Sequence, residues 1–371
     1  MLQMNKRILI LEGRKTIGGG QVVTRQICDC LKDSYDVYVF LPGSGSSPIA
    51  EYLQDFRHRY YKCFSYTFGK KRAIDYLKFI ANFLICSFSL VHTLIVIKPS
   101  VIYIQHMRLL PIAVLVDLCF RIPVIAHIHV VHYDKNVRRI VNKCLRSKNV
   151  IKIVGVSYYS LHQLEDYNRK KSLVIYNPVA EREIVSHNSL SGNIAIIGDV
   201  FPLKGHHILL KAISQLPNNL SVYVIGNIVD QEYKKYLDVS FPHVKCIYTG
   251  MIGNVDMYLA EKNVDITVIA SSSLESFSLA MVESWAQGIP TIASDDFGMK
   301  ELVENFLPQY AKWMLFRTED SNDLMKKIEM IEKDKTLYDQ LSTTVKIVSH
   351  KYFNVSVFKR DILNLISEVL E

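Results

Sequence analysis

The chain has 371 residues, 49% of them hydrophobic and 22% charged; that balance excludes disordered, collagen-like and coiled-coil chains, and the length favours two domains. Its net charge of +8 conceals an asymmetry: residues 1–180 carry 26 Lys/Arg against 11 Asp/Glu, and residues 181–371 carry 18 against 25. Unless it is only a solvated face, so basic a first half is expected to meet something anionic, nucleic acid or a membrane surface.

The first half opens with an apolar run of strand length, Arg7–Glu12, followed by the loop Gly18-Gly19-Gly20, an amphipathic stretch Gln21–Leu31 and a second strand-like run, Asp36–Leu41. Strand, loop, helix and strand in this order predict a βαβ unit on a parallel sheet. The segment from Arg57 to Lys78 then collects Arg57, Arg59, Lys62, Lys70, Lys71, Arg72 and Lys78 against Asp75 alone, with Tyr60, Tyr61, Phe64, Tyr66 and Phe68 interleaved. Directly after it, Phe79–Ile97 contains no charged residue over 19 positions, close to the roughly 20 that cross a bilayer. Asn82, Ser87, Ser89 and His92 interrupt the run, and Asp75, Lys78, Asn82, Cys86, Ser89 and Thr93 share one helical stripe. A helix that is mostly buried or lies at an interface is therefore predicted, rather than one that spans. Val101–Gln105, Pro123–His129 and Ile151–Val156 continue the alternation, and Leu173–Val179 closes the half where Asn177-Pro178 breaks regular structure.

The pattern restarts with a strand at Asn193–Gly198, a helix at His206–Leu216 and a strand at Leu220–Gly226. Lys245–Tyr248 and Val264–Ile269 add strands, Ser278–Gln287 reads as a helix closed by Gly288, and Pro290–Ala293 begins another strand. The prediction is two Rossmann-like, doubly wound α/β domains over 1–177 and 178–350, facing a central cleft, with 351–371 a helix packing back on the first domain. The seven cysteines are scattered without a CxxC pair and are expected to be reduced thiols; no secretory signal is expected at the N-terminus.

The strongest chemical constellation is Ser271–Glu283, a loop after a strand that leads into a helix. A helix start exposes backbone N–H groups and suits a phosphate, while Glu275 and Glu283 could hold hydroxyl groups. The structural alternative is a capping serine beside two solvated glutamates. Gly198–Gly205 places Lys204 between a strand and a helix, where an ammonium suits a phosphate oxygen, if it is not merely a loop lysine. Gly18–Gly20 could let a phosphate approach closely or simply make a turn, and it does not match GxGxxG, which argues against a nicotinamide or flavin cofactor. His127, His129 and His132 hint at a metal, but no carboxylate or cysteine accompanies them at ligand spacing and no Asp-X-Asp occurs.

These motifs together resemble the retaining glycosyltransferases of family 4, with the GT-B fold. ESFSLAMVE at 275–283, AQGIPTIAS at 286–294, the Gly198…Lys204-Gly205 loop, the glycine loop, PVIAHIH at 123–129 and VIYNPV at 174–179 carry the likeness over nearly the whole chain. The resemblance implies that Gly19 and Gly20 lie near the donor diphosphate and acceptor, and that Lys204 contacts phosphate. It further implies that Glu275 with Ser276, Phe277, Ser278 and Leu279 holds the donor sugar, Glu283 binds ribose, and His129 stands near the reacting sugar. The catalytic set it implies is Glu275, His129 and Lys204. Asp199 stands where an arginine is common in the family, and Ser276 and Ser278 where glycines are common.

The expected function is a retaining hexosyl transfer from a nucleotide diphosphate sugar, UDP-sugar favoured and GDP-sugar next, to a lipid-linked or surface-polysaccharide acceptor. Neither a cofactor, a metal nor a nucleic-acid partner is expected. The competing reading is a non-catalytic subunit that keeps the fold and supports a partner transferase. The Arg57–Lys78 segment is expected to dock the protein peripherally on the anionic cytoplasmic face of the membrane, because aromatic rings and cations favour that boundary.

Overall fold

The structure is a computed structural model, and it describes residues 6–43, 45–64, 73–180, 190–217, 220–272 and 274–371. Tyr66, Phe68, Lys70, Lys71 and Arg72 of the basic aromatic segment lie outside these residues. The chain divides into two compact units, Met1–Tyr176 with Phe358–Glu371, and Asn177–Val357.

The first unit is built on β1 (Arg7–Leu11), β2 (Asp36–Pro42), β3 (Arg57–Tyr61), β4 (Val101–Ile104), β5 (Val124–Ile128), β6 (Val150–Gly155) and β7 (Ser172–Val174). They form one sheet in the order β3-β2-β1-β4-β5-β6-β7, parallel throughout. The second carries β8 (Asn193–Ile197), β9 (Ser221–Ile225), β10 (Lys245–Gly250), β11 (Ile266–Ile269), β12 (Thr291–Ser294) and β13 (Leu315–Phe316), again parallel, in the order β10-β9-β8-β11-β12-β13. Helices cover both faces of such sheets, so central strands are mostly apolar; β4 (VIYI) and β11 (ITVI) are buried along their whole length. In each sheet the strand order reverses once, between β1 and β4 and between β8 and β11, which opens a crevice at the carboxyl ends there.

β3 was not anticipated. Its sequence, RHRYY, is polar because it is the sheet's edge and is exposed or half-buried until Tyr61. Part of the basic aromatic segment is therefore sheet rather than loop, and Arg57 donates to the Tyr38 hydroxyl at 2.7 Å. The helix Val355–Leu370 buries Phe358, Ile362, Leu365 and Ile366 and packs on the first unit, tied by Lys359–Asp33 at 3.0 Å and by Lys152–Glu368.

The uncharged run lies within one helix, Ala73–Ile97, of which only 33% of the apolar window is buried. Of the two expectations, a mostly buried helix or one lying at an interface, this removes the first. Its polar stripe turns inward: Asp75 and Thr93 are each 3% exposed.

Asp265 pins the start of β11 to that of β8. Fully buried, it accepts from Ser191 N (2.8 Å), Ser191 Oγ (2.9 Å) and Asn193 N (3.2 Å) through one oxygen. Burial, and then the charge of Asp265, raises the Glu332 carboxyl from 4.5 to about 7. A raised folded-state value means that protonation favours the fold, so this contribution is complete below 4.5 and is lost as pH rises through about 7. Glu332→Gln should accordingly melt at a temperature that gains on the parent's as pH goes from 5 to 8; thermal melts across that range check it, and a constant difference would refute it.

Candidate functional site

β8 and β11 end side by side, and each delivers a loop. The first, Gly198–Gly205, carries Lys204 in the short turn Pro202–Lys204 and ends on Gly205 at φ +72°. A Cβ on Gly205 would stand 2.0 Å from the Ala270 carbonyl oxygen, so the loops meet backbone to backbone and only glycine fits at that positive φ. Ser272 N–H donates to the Leu203 carbonyl at 3.0 Å. Across this junction Lys204 Nζ and Glu275 Oε2 form an ion pair of 2.9 Å, their side chains 26% and 17% exposed.

The second loop runs on into the helix Leu279–Ala286. Ser278 occupies the position before its first turn, yet its side chain makes no capping bond, which removes the capping-serine alternative. The hydroxyls of Ser271, Ser276 and Ser278 are all buried with no hydrogen-bond partner. A helix start attracts anions, and the unpartnered hydroxyls of Ser276 and Ser278 immediately before this one could serve a polar ligand. Phe277 turns its ring into the core, 6.0 Å from that of Phe353, and so offers the loop only its backbone. Gly298 N–H donates to the Glu275 carbonyl at 2.9 Å, and a Cβ on Gly298 would stand 2.0 Å from the Ser276 oxygen. Glu275 and Ser276 are thereby held by main chain from behind. Leu279 and Glu283 are half-buried on the helix itself. Asp199, the departure from the family pattern, accepts from Asn227 N–H at 3.1 Å. His206, buried at the start of the next helix, is held down to about 4 by burial and then by Lys204.

The first unit has its own cluster where β1, β4 and β5 end. Glu12, 1% exposed, takes Gly13 N–H (2.7 Å), Arg14 N–H (3.0 Å) and the Gln21 amide (3.1 Å) on one oxygen and the Thr24 hydroxyl (2.8 Å) on the other. These bonds fasten the glycine loop to the helix Gly19–Leu31, whose first turn contains Gly19 and Gly20; a Cβ on Gly20 would touch nothing within 4 Å. His129 Nε2 lies 2.6 Å from Gln105 Oε1, and its ring centroid 4.2 Å from that of His127, whose Nδ1 is 3.2 Å from the Tyr103 hydroxyl. Burial, followed by His106, lowers His129 to about 4, and burial with Arg108 does the same to His106. His129 is therefore neutral at pH 7. Among the described residues no group of three His, Cys, Asp or Glu is placed to hold a metal ion.

Lys204 and Glu275 were found in the sequence as separate motifs, and the fold joins them. Glu12 and Gln105 were missed, and Ser271 was read only as the start of the Ser271–Glu283 stretch. Each ends or follows a predicted strand of a doubly wound sheet, and that position was the signal available.

Two parallel α/β units whose loops gather at the strands' carboxyl ends define a doubly wound architecture that binds its ligands there. Residues 180–347 match the family described as Glycosyl transferases group 1, and residues 17–182 match Glycosyltransferase Family 4. The chain is 27% identical over 205 residues to an uncharacterized glycosyltransferase of Methanocaldococcus jannaschii, a stretch covering 55% of this chain and 56% of that relative. Its fold is that of HepE of Anabaena, crystallised with UDP and glucose (TM-score 0.80, 18% identity, 97% and 99% of the two chains covered). Sucrose-phosphate synthase of Thermosynechococcus elongatus shares it too (TM-score 0.78, 16% identity, 98% and 99% covered). The chain belongs to glycosyltransferase family 4, with the GT-B fold.

The glycines give a paired test. Gly205→Ala should lose at least about 1–2 kcal/mol from the left-handed backbone alone, with the Ala270 overlap added. Gly20→Ala, in open space on a helix, should gain about 0.5–1 kcal/mol. Urea unfolding of both variants checks the contrast.

Proposed function

We propose that the chain transfers a hexosyl unit from a UDP-sugar, with GDP-sugar the second choice, to a hydroxyl of a lipid-linked or surface-polysaccharide acceptor at the cytoplasmic face of the membrane, with retention at the anomeric carbon. The observation that carries the donor assignment is the Lys204–Glu275 pair, with Glu275 in the loop that also carries the unsatisfied buried hydroxyls of Ser276 and Ser278 before a helix start. HepE, bound to UDP and to UDP-glucose, supports the nucleotide; family membership supports retention.

In this reading the charge that grows on the departing diphosphate is met by Lys204 and the backbone N–H groups at Ser276–Leu279, so no metal is needed. Glu275 with Ser276, Phe277, Ser278 and Leu279 holds the sugar, Glu283 the ribose, and Gly19 and Gly20 serve the diphosphate and acceptor. His129, neutral and fixed by Gln105, donates or accepts a hydrogen bond at the transferred sugar. The donor must first take Lys204 from Glu275. A partly exposed ion pair is worth only about 0.2–1 kcal/mol, less than the about 1.5–3 kcal/mol of one charge-assisted bond to phosphate, so the exchange favours binding. It also releases the Glu275 carboxylate at the moment the sugar arrives.

The competing reading, a non-catalytic subunit, draws on Asp199, whose anion could repel a diphosphate. Its bond to Asn227 N–H gives that carboxylate a structural task instead.

Thermal-shift titration against UDP, GDP, ADP and their sugars should single out UDP and UDP-sugars. Lys204→Ala and Glu283→Ala should each weaken nucleotide binding by about 1.5–3 kcal/mol. Glu275→Ala should leave UDP affinity at or above the parent's and abolish most turnover, and His129→Ala should lower transfer at unchanged nucleotide affinity. Binding without sugar transfer for every donor and acceptor would establish the subunit reading, and parental behaviour of all four variants would place the site elsewhere.

A further inference from the structure

We infer that the outer layer of three helices on the first unit, Ala73–Ile97, Pro111–Cys119 and Lys135–Leu145, is a docking face for an anionic lipid surface, with Ala73–Ile97 lying in the plane of the membrane. This assignment deepens the membrane association proposed above and rests on it, while the donor chemistry stands whether or not it holds.

The three helices cover one and the same side of the first sheet. Leu90 and Leu94 from the first, Ala113 and Val116 from the second, and Val141 and Leu145 from the third belong to a single apolar core with β1, β4 and β5. Their opposite faces consequently all point away from that sheet. A helix facing water presents its polar stripe outward. Ala73–Ile97 does the reverse: Asp75, Cys86 and Thr93 are buried, and Asn82 is spent on the Phe64 backbone, accepting from its N–H at 2.6 Å and donating to its carbonyl at 2.9 Å. Its exposed large side chains include Leu77 (64% exposed), Phe79, Ile80, Phe83, Leu84 and Phe88 (76%), with His92 the exposed polar residue among them. Leu118 and Ile140, 80% and 58% exposed, are the most exposed apolar side chains of the other two helices.

Charge identifies the occupant. Beside Ile140 the third helix carries Lys135, Arg138, Arg139 and Lys143, and the acidic groups of these outer elements are few: Asp134 is engaged by the Asn136 and Val137 N–H groups, and Asp117 stands alone on the second helix. Apolar side chains rimmed by cations fit an acyl–headgroup boundary with anionic lipids. Spanning does not fit, because Leu90, Leu94 and Ile97 would have to leave the core that the sheet shares with them.

The test is co-sedimentation of the full chain with phosphatidylcholine vesicles, with and without phosphatidylglycerol. The parent should pellet with the anionic vesicles. Leu77→Gln/Leu84→Gln/Phe88→Gln and, separately, Arg138→Glu/Arg139→Glu/Lys143→Glu should each weaken binding at least about tenfold, since each cation near the surface is worth about fivefold. UDP-induced thermal shifts, read on the same variants, should match the parent's and certify that they fold; should one triple fail to fold, the other carries the test. Undiminished pelleting of both triples would overturn this face while leaving membrane association in place. A parent that ignores anionic vesicles yet shifts with UDP would overturn both membrane claims and leave the donor site. Two further results would overturn the assignment: a dimer broken by the apolar triple would make a second copy the occupant, and binding that survives alkaline carbonate would mean that the helix spans.

Discussion

Everything in the second unit turns on two stretches of backbone that touch. Where Gly205 passes the Ala270 carbonyl there is no room for a single methyl group. That contact fixes how far the β8 loop stands from the β11 loop, and hence that an ammonium on one reaches a carboxylate on the other. Gly298 does the same from behind, pressing on the Ser276 carbonyl. Side chains in this site are flexible at their tips, but the distances between their roots are set by main chain in van der Waals contact.

The first unit uses polar bonds for the same purpose. Glu12 gathers two backbone amides, a side-chain amide and a hydroxyl into one buried carboxylate, and Gln105 sets the orientation of His129. Burial keeps the neighbouring imidazoles His106, His127 and His129 uncharged. The His127 and His129 rings can lie with centroids 4.2 Å apart because neither is an imidazolium near neutral pH.

The sequence revealed most of the strands, since buried parallel strands are predominantly apolar and stand out as runs. It hid β3, whose edge position permits arginine and histidine, and β13, two residues long. The long helix was legible as a helix, but the direction of its polar stripe was not: a stripe of Asp75, Asn82 and Thr93 looks the same whether it meets water or a sheet. In the site, Lys204, Glu275 and Glu283 were legible because motif and family position coincide. Glu12 was read only as the end of a strand, and the three orphaned hydroxyls needed coordinates, because an unsatisfied group is defined by its surroundings and not by its identity. Asp199 was read as an anion facing a ligand, and its bond to Asn227 is a loop contact that residue type does not announce.

The return of Phe358–Glu371 to the first unit has a bearing on how the protein is made. Translation delivers Asn177–Val357, a whole unit with its own core, before it delivers the helix whose Phe358, Ile362, Leu365 and Ile366 complete the unit begun first. The earlier sheet therefore spends that interval with an apolar seat unfilled, and the later unit is the first able to reach its final packing. Damage to the helix should then register as misfolding of the opposite end of the chain, with the second unit left whole.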